Sequence, residues 1–197
     1  MSYDIKEAVT ALHVDNAAGA IEVVPGGDVV KVSEKYEYNG ARPRTQHSVK
    51  GEGLWLENTG CGSDSIQCSV SYRIQVPPSM ATQLTIGGGD IKVAGLSGST
   101  HAKAGGGSIE ITDSSAKSVT AHVGGGDITA SFAGKPDKVD ASASGGTATV
   151  RLPQGTYDVN ATTKGGQRTV RVPTDSASPH KVEAHTRGGS VTVEPVR

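Results

Sequence analysis

Acidic residues that follow glycine clusters are the first candidates for chemistry in this sequence. Asp90 and Asp127 each follow three consecutive glycines, which resembles the short calcium-binding repeats of some β proteins. Such repeats need an acidic residue in every turn, whereas Ser108 occupies the equivalent position between the two aspartates. With a serine-bearing turn between them, the carboxylates would lie about 9.5 Å apart, too far to share one ion. We therefore predict no metal site and assign these aspartates to turn stabilisation.

Histidine residues could serve as metal ligands or as general bases. His122 and His185 occupy equivalent positions in a repeated pattern, with Ser142 and Thr162 at that position in the copies between them. With two copies between them, the imidazoles would lie about 14 Å apart on the outward face, which excludes a shared zinc ion. His122 could approach Asp140 on the neighbouring copy, as in a catalytic dyad, but the pattern places no serine to complete it. We predict surface hydrogen bonding for these histidines and no catalytic residue.

The two cysteines, Cys61 and Cys68, stand seven residues apart in a segment rich in glycine and serine. They lack the C-x-x-C spacing of redox pairs, and no second ligand pair has a spacing that suits zinc. Two free thiols are one alternative, but we favour a structural disulfide that closes a hairpin loop. Such a bond needs an oxidising compartment, which predicts a protein that acts outside the cytoplasm. No signal peptide precedes the first strand, so we expect any leader or anchor to lie in a segment absent from this sequence.

These residues belong to a repeat that is best aligned on the last glycine of each glycine cluster. The seven copies place this key glycine at Gly19, Gly89, Gly107, Gly126, Gly146, Gly166 and Gly189. In most copies, apolar residues stand two and four positions after the key glycine, with a polar residue between them. This alternation predicts a strand after each glycine, and a second alternating segment predicts a strand before it. The glycines are expected to form the bend between the two strands.

Seven copies of a two-strand unit predict an all-β fold in which equivalent residues stack from copy to copy. We expect a β-solenoid-like stack with about 4.8 Å between copies, and regular strand spacing leaves an antiparallel β-sandwich as the alternative. Within a single elongated domain, residues 12–23 are the first copy, 24–80 a capping β insertion and 81–197 six tandem copies. The insertion contains Trp55 and should cover one end of the stack. Arg168 interrupts an apolar position and predicts a copy with an open core or a shifted register.

Composition excludes several classes of function. The chain of 197 residues has 19 Lys and Arg against 20 Asp and Glu, a net charge of −1, without a basic stripe. Nucleic-acid binding is therefore not expected, and no apolar run approaches the roughly 18 residues of a membrane span. Glycine clusters can bind phosphate where a helix follows them, but a strand follows each cluster here. We predict no cofactor.

Short motifs connect the copies and recur along the chain. They are Val76-Pro77, the stretch Leu84-Thr-Ile-Gly-Gly-Gly-Asp-Ile-Lys-Val93, Leu152-Pro153-Gln-Gly155 and Val172-Pro173. In these motifs and in its Gly-Asp-Ile or Gly-Ser-Ile steps, the sequence resembles the bacterial β-strand-repeat domains of unknown function that are described as adhesin-like. The resemblance extends from about Leu12 to Val193. It implies a stacked β fold displayed outside the cytoplasm, often behind a lipoprotein or membrane anchor, without known catalytic residues.

The leading functional hypothesis is a non-enzymatic structural or binding module of a bacterial envelope protein with an unknown envelope partner. One alternative is a carbohydrate-active enzyme of the β-helix type, although the outward positions offer no paired carboxylates at one level. Another is a cytoplasmic scaffold that self-assembles through its end strands. We expect any binding to occur on the outer face or in the cap around Trp55.

Overall fold

The structure, a computed structural model, describes residues 1–62 and 67–196, in which strands alternate with turns and bends and no helix occurs. The strands of these residues are β1 (Ser2–Ile5), β2 (Ala11–Pro25), β3 (Val30–Asn39), β4 (Thr45–Lys50), β5 (Gly53–Asn58), β6 (Gln67–Val76), β7 (Ala81–Ala94), β8 (Thr100–Gly106), β9 (Ile109–Ser114), β10 (Ser118–Gly125), β11 (Ile128–Phe132), β12 (Lys138–Gly145), β13 (Ala148–Leu152), β14 (Asp158–Thr163), β15 (Arg168–Val170), β16 (Lys181–Thr186) and β17 (Val191–Pro195).

Each repeat copy forms one coil of a solenoid, with one strand before the glycine corner and one after it. Strands before the corner pair in parallel and make sheet 1, in which Ala102, Ala121 and Ala141 of β8, β10 and β12 are in register. Strands after the corner make sheet 2 in the same way, with Ile109 of β9 beside Ile128 of β11. The long strands β2 and β7 belong to both sheets. The predicted all-β solenoid is therefore confirmed, and its parallel pairing rules out the antiparallel sandwich.

The core lies between the two sheets and is built mainly from small and β-branched side chains. Inward residues of sheet 2 such as Ile91 and Ile128 are fully buried, and so are the alanines at the inward positions of sheet 1. They belong to one continuous apolar cluster. Its largest buried side chains in the described part of the chain include Tyr72, Phe132 and Tyr157. Cohesion therefore comes from many small contacts and from the backbone ladders between coils.

The coils do not stack in chain order at the C-terminal end. β16 lies between β12 and β14 and pairs in register with both, and β17 lies in the same way between β13 and β15. The coil of Gly189 is thus inserted between the coils of Gly146 and Gly166, so that the Gly166 coil ends the stack. The connection from β15 to β16 allows this exchange because it runs back past the end coil, where Thr174 bridges to Tyr157.

The N-terminal end shows the same exchange. β5 and β6, from the segment 24–80, pair in parallel with β2, which is also paired with β7. One more coil therefore lies outside the first copy, and at each end the terminal copy of the chain is held between two coils. Strands with neighbours on both edges have their backbone groups paired, which protects the first and the last copy of the repeat from fraying. The division into 12–23, 24–80 and 81–197 stays a prediction.

Antiparallel strands cover the N-terminal end of the stack. β3 pairs with β6, β1 with β3, and β4 with β5. Tyr3 of β1 stacks on His47 of β4 with ring centroids 4.7 Å apart, which joins the two sheets across the end. The buried carboxylate of Glu34 accepts hydrogen bonds from the Tyr3 hydroxyl, at 2.7 Å, and from the Tyr36 hydroxyl. Burial, followed by the bond to Glu34, raises the pKa of Tyr3, so its hydroxyl remains a donor.

Arg168 lies at the opposite, uncovered end of the stack. It occupies the inward position of the Gly166 coil, in register with Val191, and its side chain is exposed. Its Nε donates a hydrogen bond to the carbonyl oxygen of Ala161 at 2.8 Å. We expected a coil with an open core or a shifted register at Arg168. The coil is in register, and its core is open because it is the last coil of the solenoid. A charged side chain at an inward position of an edge strand also opposes edge-to-edge pairing.

The glycine corners bring successive coils into close backbone contact. Gly107 and Gly126 have φ angles of 98° and 125°, which side chains rarely allow. A Cβ on Gly126 would lie 2.0 Å from the carbonyl oxygen of Gly107. Gly126 is therefore required both by its own conformation and by the coil beneath it.

At both ends of the stack, pairs of polar side chains occupy the inward position three residues before the key glycine, where the central coils have an apolar residue. Near the N-terminal end, Asn58 Nδ2 donates to Asn16 Oδ1 at 2.7 Å, and both side chains are buried. Near the C-terminal end, Thr186 Oγ1 donates to Thr163 Oγ1 at 3.0 Å. Because a wrong neighbour would leave these polar groups unpaired, they favour the observed partners at each end.

Candidate functional site

The aspartates of the glycine clusters stabilise the next coil. Asp90 Oδ1 accepts a hydrogen bond from the backbone N–H of Ser108 at 2.8 Å, and Asp127 Oδ1 accepts one from Thr147 at 2.7 Å. Each carboxylate thus accepts a hydrogen bond from a backbone N–H group at a corner, where the chain bends away from the hydrogen bonding between neighbouring strands. Among the residues that the structure describes, no group of three or more His, Cys, Asp or Glu side chains is arranged to hold a metal ion.

His122 and His185 lie closer together than they would if the coils stacked in the order in which they occur along the chain. His122 is in register with Ser142, and Ser142 with His185, so one coil separates the imidazoles and their Cα atoms lie about 9.6 Å apart instead of about 14 Å. His122 Nε2 lies 3.9 Å from Asp140 Oδ2, as the pattern suggested. Ser142 Oγ donates to Asp140 Oδ1 at 2.9 Å. The serine is therefore bonded to the carboxylate and not to the imidazole, unlike the nucleophile of a hydrolase triad.

Two carboxylates that chain order keeps apart become neighbours. Asp140 of β12 and Glu183 of β16 are in register on adjoining strands, because the coil exchange moves Asn160 to the far side of Glu183. We had expected that no two carboxylates would lie side by side on neighbouring coils, and this pair corrects that expectation. Both side chains are partly exposed on the outer face of sheet 1. The sequence did not indicate that Glu183 would lie beside Asp140, because the neighbour of Glu183 depends only on the order in which the coils stack.

An open groove, here called the basic groove, lies beside these carboxylates on the outer face of sheet 1. Its volume is about 530 Å³, and its cationic lining residues are Lys103, Lys164 and Arg187, with His122 and His185 between them. Lys103 and Lys164 stand four coils apart, about 19 Å along the stack. The floor is formed by main chain and small side chains, namely Ala104, Gly105, Gly124, Ser142, Ala143 and Ser144. The groove is therefore long, shallow and rich in hydrogen-bond donors.

Two smaller grooves continue along the same face towards the N-terminal end. One, of about 300 Å³, is lined in part by Gln83, His101 and Thr120. The other, of about 120 Å³, lies beside Trp55 and His13, whose rings stack with centroids 3.9 Å apart. The outer face and the surroundings of Trp55, which we expected to be separate candidates for binding, thus form one surface.

The family follows from these features together with the sequence. A model of the family described as Toastrack DUF4097 matches residues 69–194, which is more than half of the chain. The chain belongs to the Toastrack DUF4097 family. The finer grouping by a Gly-Gly-Asp-Ile repeat stays a prediction.

Solved structures resemble this Toastrack chain over its whole length. A candidate cell adhesion protein from Clostridium sporogenes is 16% identical with a TM-score of 0.55, and the match covers 100% of this chain and 99% of that one. A candidate adhesin from Bacteroides fragilis is 12% identical, with a TM-score of 0.37 and coverages of 100% and 96%. A candidate lipid-binding protein from Parabacteroides distasonis is also 12% identical, with a TM-score of 0.31 and the same coverages. The first of these supports the fold. No curated protein matches the chain.

The cysteines of this Toastrack chain lie in its outermost N-terminal coil. Cys61 and Cys68 are joined by a disulfide, with Cα atoms 5.9 Å apart. Cys61 follows β5 and Cys68 lies at the beginning of β6, so the bond connects the two strands at the place where the central coils have their glycine corner. No helix in the described part of the chain has the length and apolar character to cross a membrane.

Proposed function

We propose that this Toastrack chain is a non-enzymatic binding module that acts outside the cytoplasm and binds its partner through the outer face of sheet 1. The observation that carries this proposal is the alignment of three grooves on that one face, from Trp55 to Lys164. Strands hold the lining side chains about 4.8 Å apart along the stack, which suits an extended ligand. The proposal assigns to this chain an adhesive role of the kind named for the Clostridium sporogenes protein.

The disulfide supports a location outside the cytoplasm, because such bonds persist in oxidising compartments. We expect Cys61 and Cys68 to be joined in protein isolated from its host. The measurement is mass spectrometry after thiols have been alkylated during lysis. Two alkylated cysteines would contradict the proposed location and favour a cytoplasmic role.

A bulky residue on the outer face of sheet 1 is expected to abolish binding of the isolated domain to an envelope fraction of its host. Thr120→Trp places an indole in the middle groove, which Thr120 lines. Its matched control is Thr129→Trp, because Thr129 also points outward from a central coil but belongs to sheet 2. Retention of the domain on the washed envelope fraction is the readout. Equal retention of both variants, or none for the unchanged domain, would contradict the proposal.

The enzyme alternative is less favoured by the geometry. A glycosidase needs one carboxyl group that burial keeps protonated, beside a second that is ionised. Asp140 and Glu183 both lie partly exposed on an open face, and Asp140 already accepts a bond from Ser142. The pair is better suited to accept hydrogen bonds from a bound ligand.

The scaffold alternative is disfavoured by the two ends of the stack. Antiparallel strands cover the N-terminal end, and Arg168 occupies an inward position at the other. Both are features by which β proteins oppose edge-to-edge association. The side of the stack therefore remains the favoured surface for a partner.

A further inference from the structure

We infer that the basic groove binds an acidic polysaccharide, a linear sugar polymer that carries carboxylates at regular intervals. This inference rests on the proposed function, since it takes the outer face of sheet 1 as the binding surface and adds the chemistry of the ligand. Three properties of the groove support it: cations without ion-pair partners, carboxylates along one border, and a floor of main chain and small side chains.

The cations of the basic groove are available to a ligand. In the part of the chain that the structure describes, Lys103, Lys164 and Arg187 form no ion pair, and no carboxylate lines the groove. The outer face of sheet 2 is different, because its cations are paired with glutamates. These pairs are Arg73 with Glu22, Lys92 with Glu110, and Arg151 with Glu194. The sheet 2 pairs neutralise their charges internally, whereas the cations of the basic groove keep theirs, which favours an anionic ligand in that groove.

The carboxylates beside the groove select a sugar polymer among anionic ligands. Asp140 and Glu183 precede Ser142 and His185 by two residues, so their Cα atoms lie about 6.6 Å further along their strands. The Asp140 carboxylate borders the groove directly, because it accepts a hydrogen bond from Ser142 at 2.9 Å. Carboxylates accept hydrogen bonds and repel anions, so a ligand must offer hydroxyl donors on this side and negative charge on the other. An acidic polysaccharide carries both groups, whereas a polyphosphate carries only the charge.

The floor and length of the groove suit a flat chain of sugar rings. Gly105 and Gly124 lack side chains, so the ligand can approach the backbone of sheet 1. At one side of the groove, His122 contacts His101 of the neighbouring groove edge to face, with ring centroids 6.1 Å apart. Cations stand near both ends of the groove, about 19 Å apart, and a polymer with repeated carboxylates can reach both at once.

The test uses a hexamer of α-1,4-linked galacturonic acid, its fully methyl-esterified form, and polyphosphate. We expect calorimetry on the full chain to detect binding of the galacturonate hexamer, weakened by added salt because the contact is ionic. The esterified hexamer keeps all its sugar hydroxyls but loses its charges, so we expect its affinity to fall about tenfold or more. Polyphosphate should bind less tightly than the hexamer. Equal binding of the ester, tighter binding of polyphosphate, or no binding of the hexamer would overturn the inference.

Charge reversal locates the site. Lys164→Glu with Arg187→Glu is expected to weaken hexamer binding about tenfold or more, since both cations line the groove. The control, Lys6→Glu with Lys31→Glu, makes the same change in net charge at exposed positions away from the groove, and it should bind as the unchanged chain does. If both variants bind the hexamer equally weakly, binding depends on the overall charge of the chain, and the basic groove is not the binding site. If the hexamer does not bind but Thr120→Trp still abolishes binding to the envelope fraction, the inference about the ligand is wrong and the proposed function remains supported.

Discussion

Replacing Val191 by arginine is expected to prevent folding of the C-terminal coils, whereas replacing Arg168 by valine is expected to leave the fold intact. The two residues occupy the same inward position of adjoining coils and are in register. Val191 is 0% exposed because its coil lies inside the stack, while Arg168 is exposed at the end. Burying an unpaired guanidinium costs several kcal/mol, a large part of the roughly 5–15 kcal/mol that stabilises a domain.

Urea unfolding followed by circular dichroism measures both variants. We expect Val191→Arg to lose strand signal or its unfolding transition at low urea, and Arg168→Val to keep a midpoint close to that of the unchanged chain. If the coils stacked in chain order, the Gly189 coil would be the exposed end, so Val191→Arg would be tolerated and Arg168→Val, which would then remove a buried charge, would raise the midpoint. A folded Val191→Arg chain with an unchanged midpoint, beside an Arg168→Val chain of clearly higher midpoint, would therefore contradict the structure.

Cysteine cross-linking provides a control that does not depend on stability. Ser142 and His185 are register partners, so cysteines at these positions would have Cα atoms about 4.8 Å apart, within reach of a disulfide. Ser142 and Thr162 lie two coils apart, about 9.6 Å, which exceeds the limit of about 7 Å. We expect oxidation to join only the first pair, and chain order would join only the second.

Gly126→Ala is expected to destabilise the chain by at least about 3 kcal/mol, the second largest effect that we anticipate. Its φ of 125° disfavours any side chain. In addition, the new Cβ would lie 2.0 Å from the carbonyl oxygen of Gly107 and 2.7 Å from its carbonyl carbon, both backbone atoms of the neighbouring coil. Relief of this overlap requires adjoining coils to separate, which would lengthen ladder hydrogen bonds on both sides.

The preceding residue gives a matched control. A Cβ on Gly125 would meet no atom within 4 Å, and its φ lies outside the positive region. Gly125→Ala is therefore expected to leave the urea midpoint unchanged, or to raise stability by a few tenths of a kcal/mol because the unfolded chain loses freedom. Similar midpoints for the two variants would show that the corner does not need the close approach described here.

The coil itself could be predicted from the sequence. Alternation with a period of two assigns inward and outward residues whatever the neighbouring strand is, because successive Cβ atoms point to opposite faces. Five of the seven key glycines, from Gly19 to Gly146, mark corners for an equally local reason, because their positive φ angles favour glycine. The outward placement of His122 and Asp140, and their approach across one coil, followed from the same alternation.

The order of the coils was decided only in the tertiary structure. Every copy presents a similar inward pattern and the same backbone groups, so the pairing of one coil with another is nearly degenerate in sequence. Features at the ends distinguish the arrangements: Arg168 is tolerated only at an open end, and the Thr163–Thr186 and Asn16–Asn58 pairs need particular neighbours. The proximity of Glu183 to Asp140, and the basic groove beside them, depend on that order because they join residues of coils that chain order separates. The glycine repeat thus specified the shape of each coil, while polar and charged contacts between distant copies set the order of the coils and with it the face that we propose for binding.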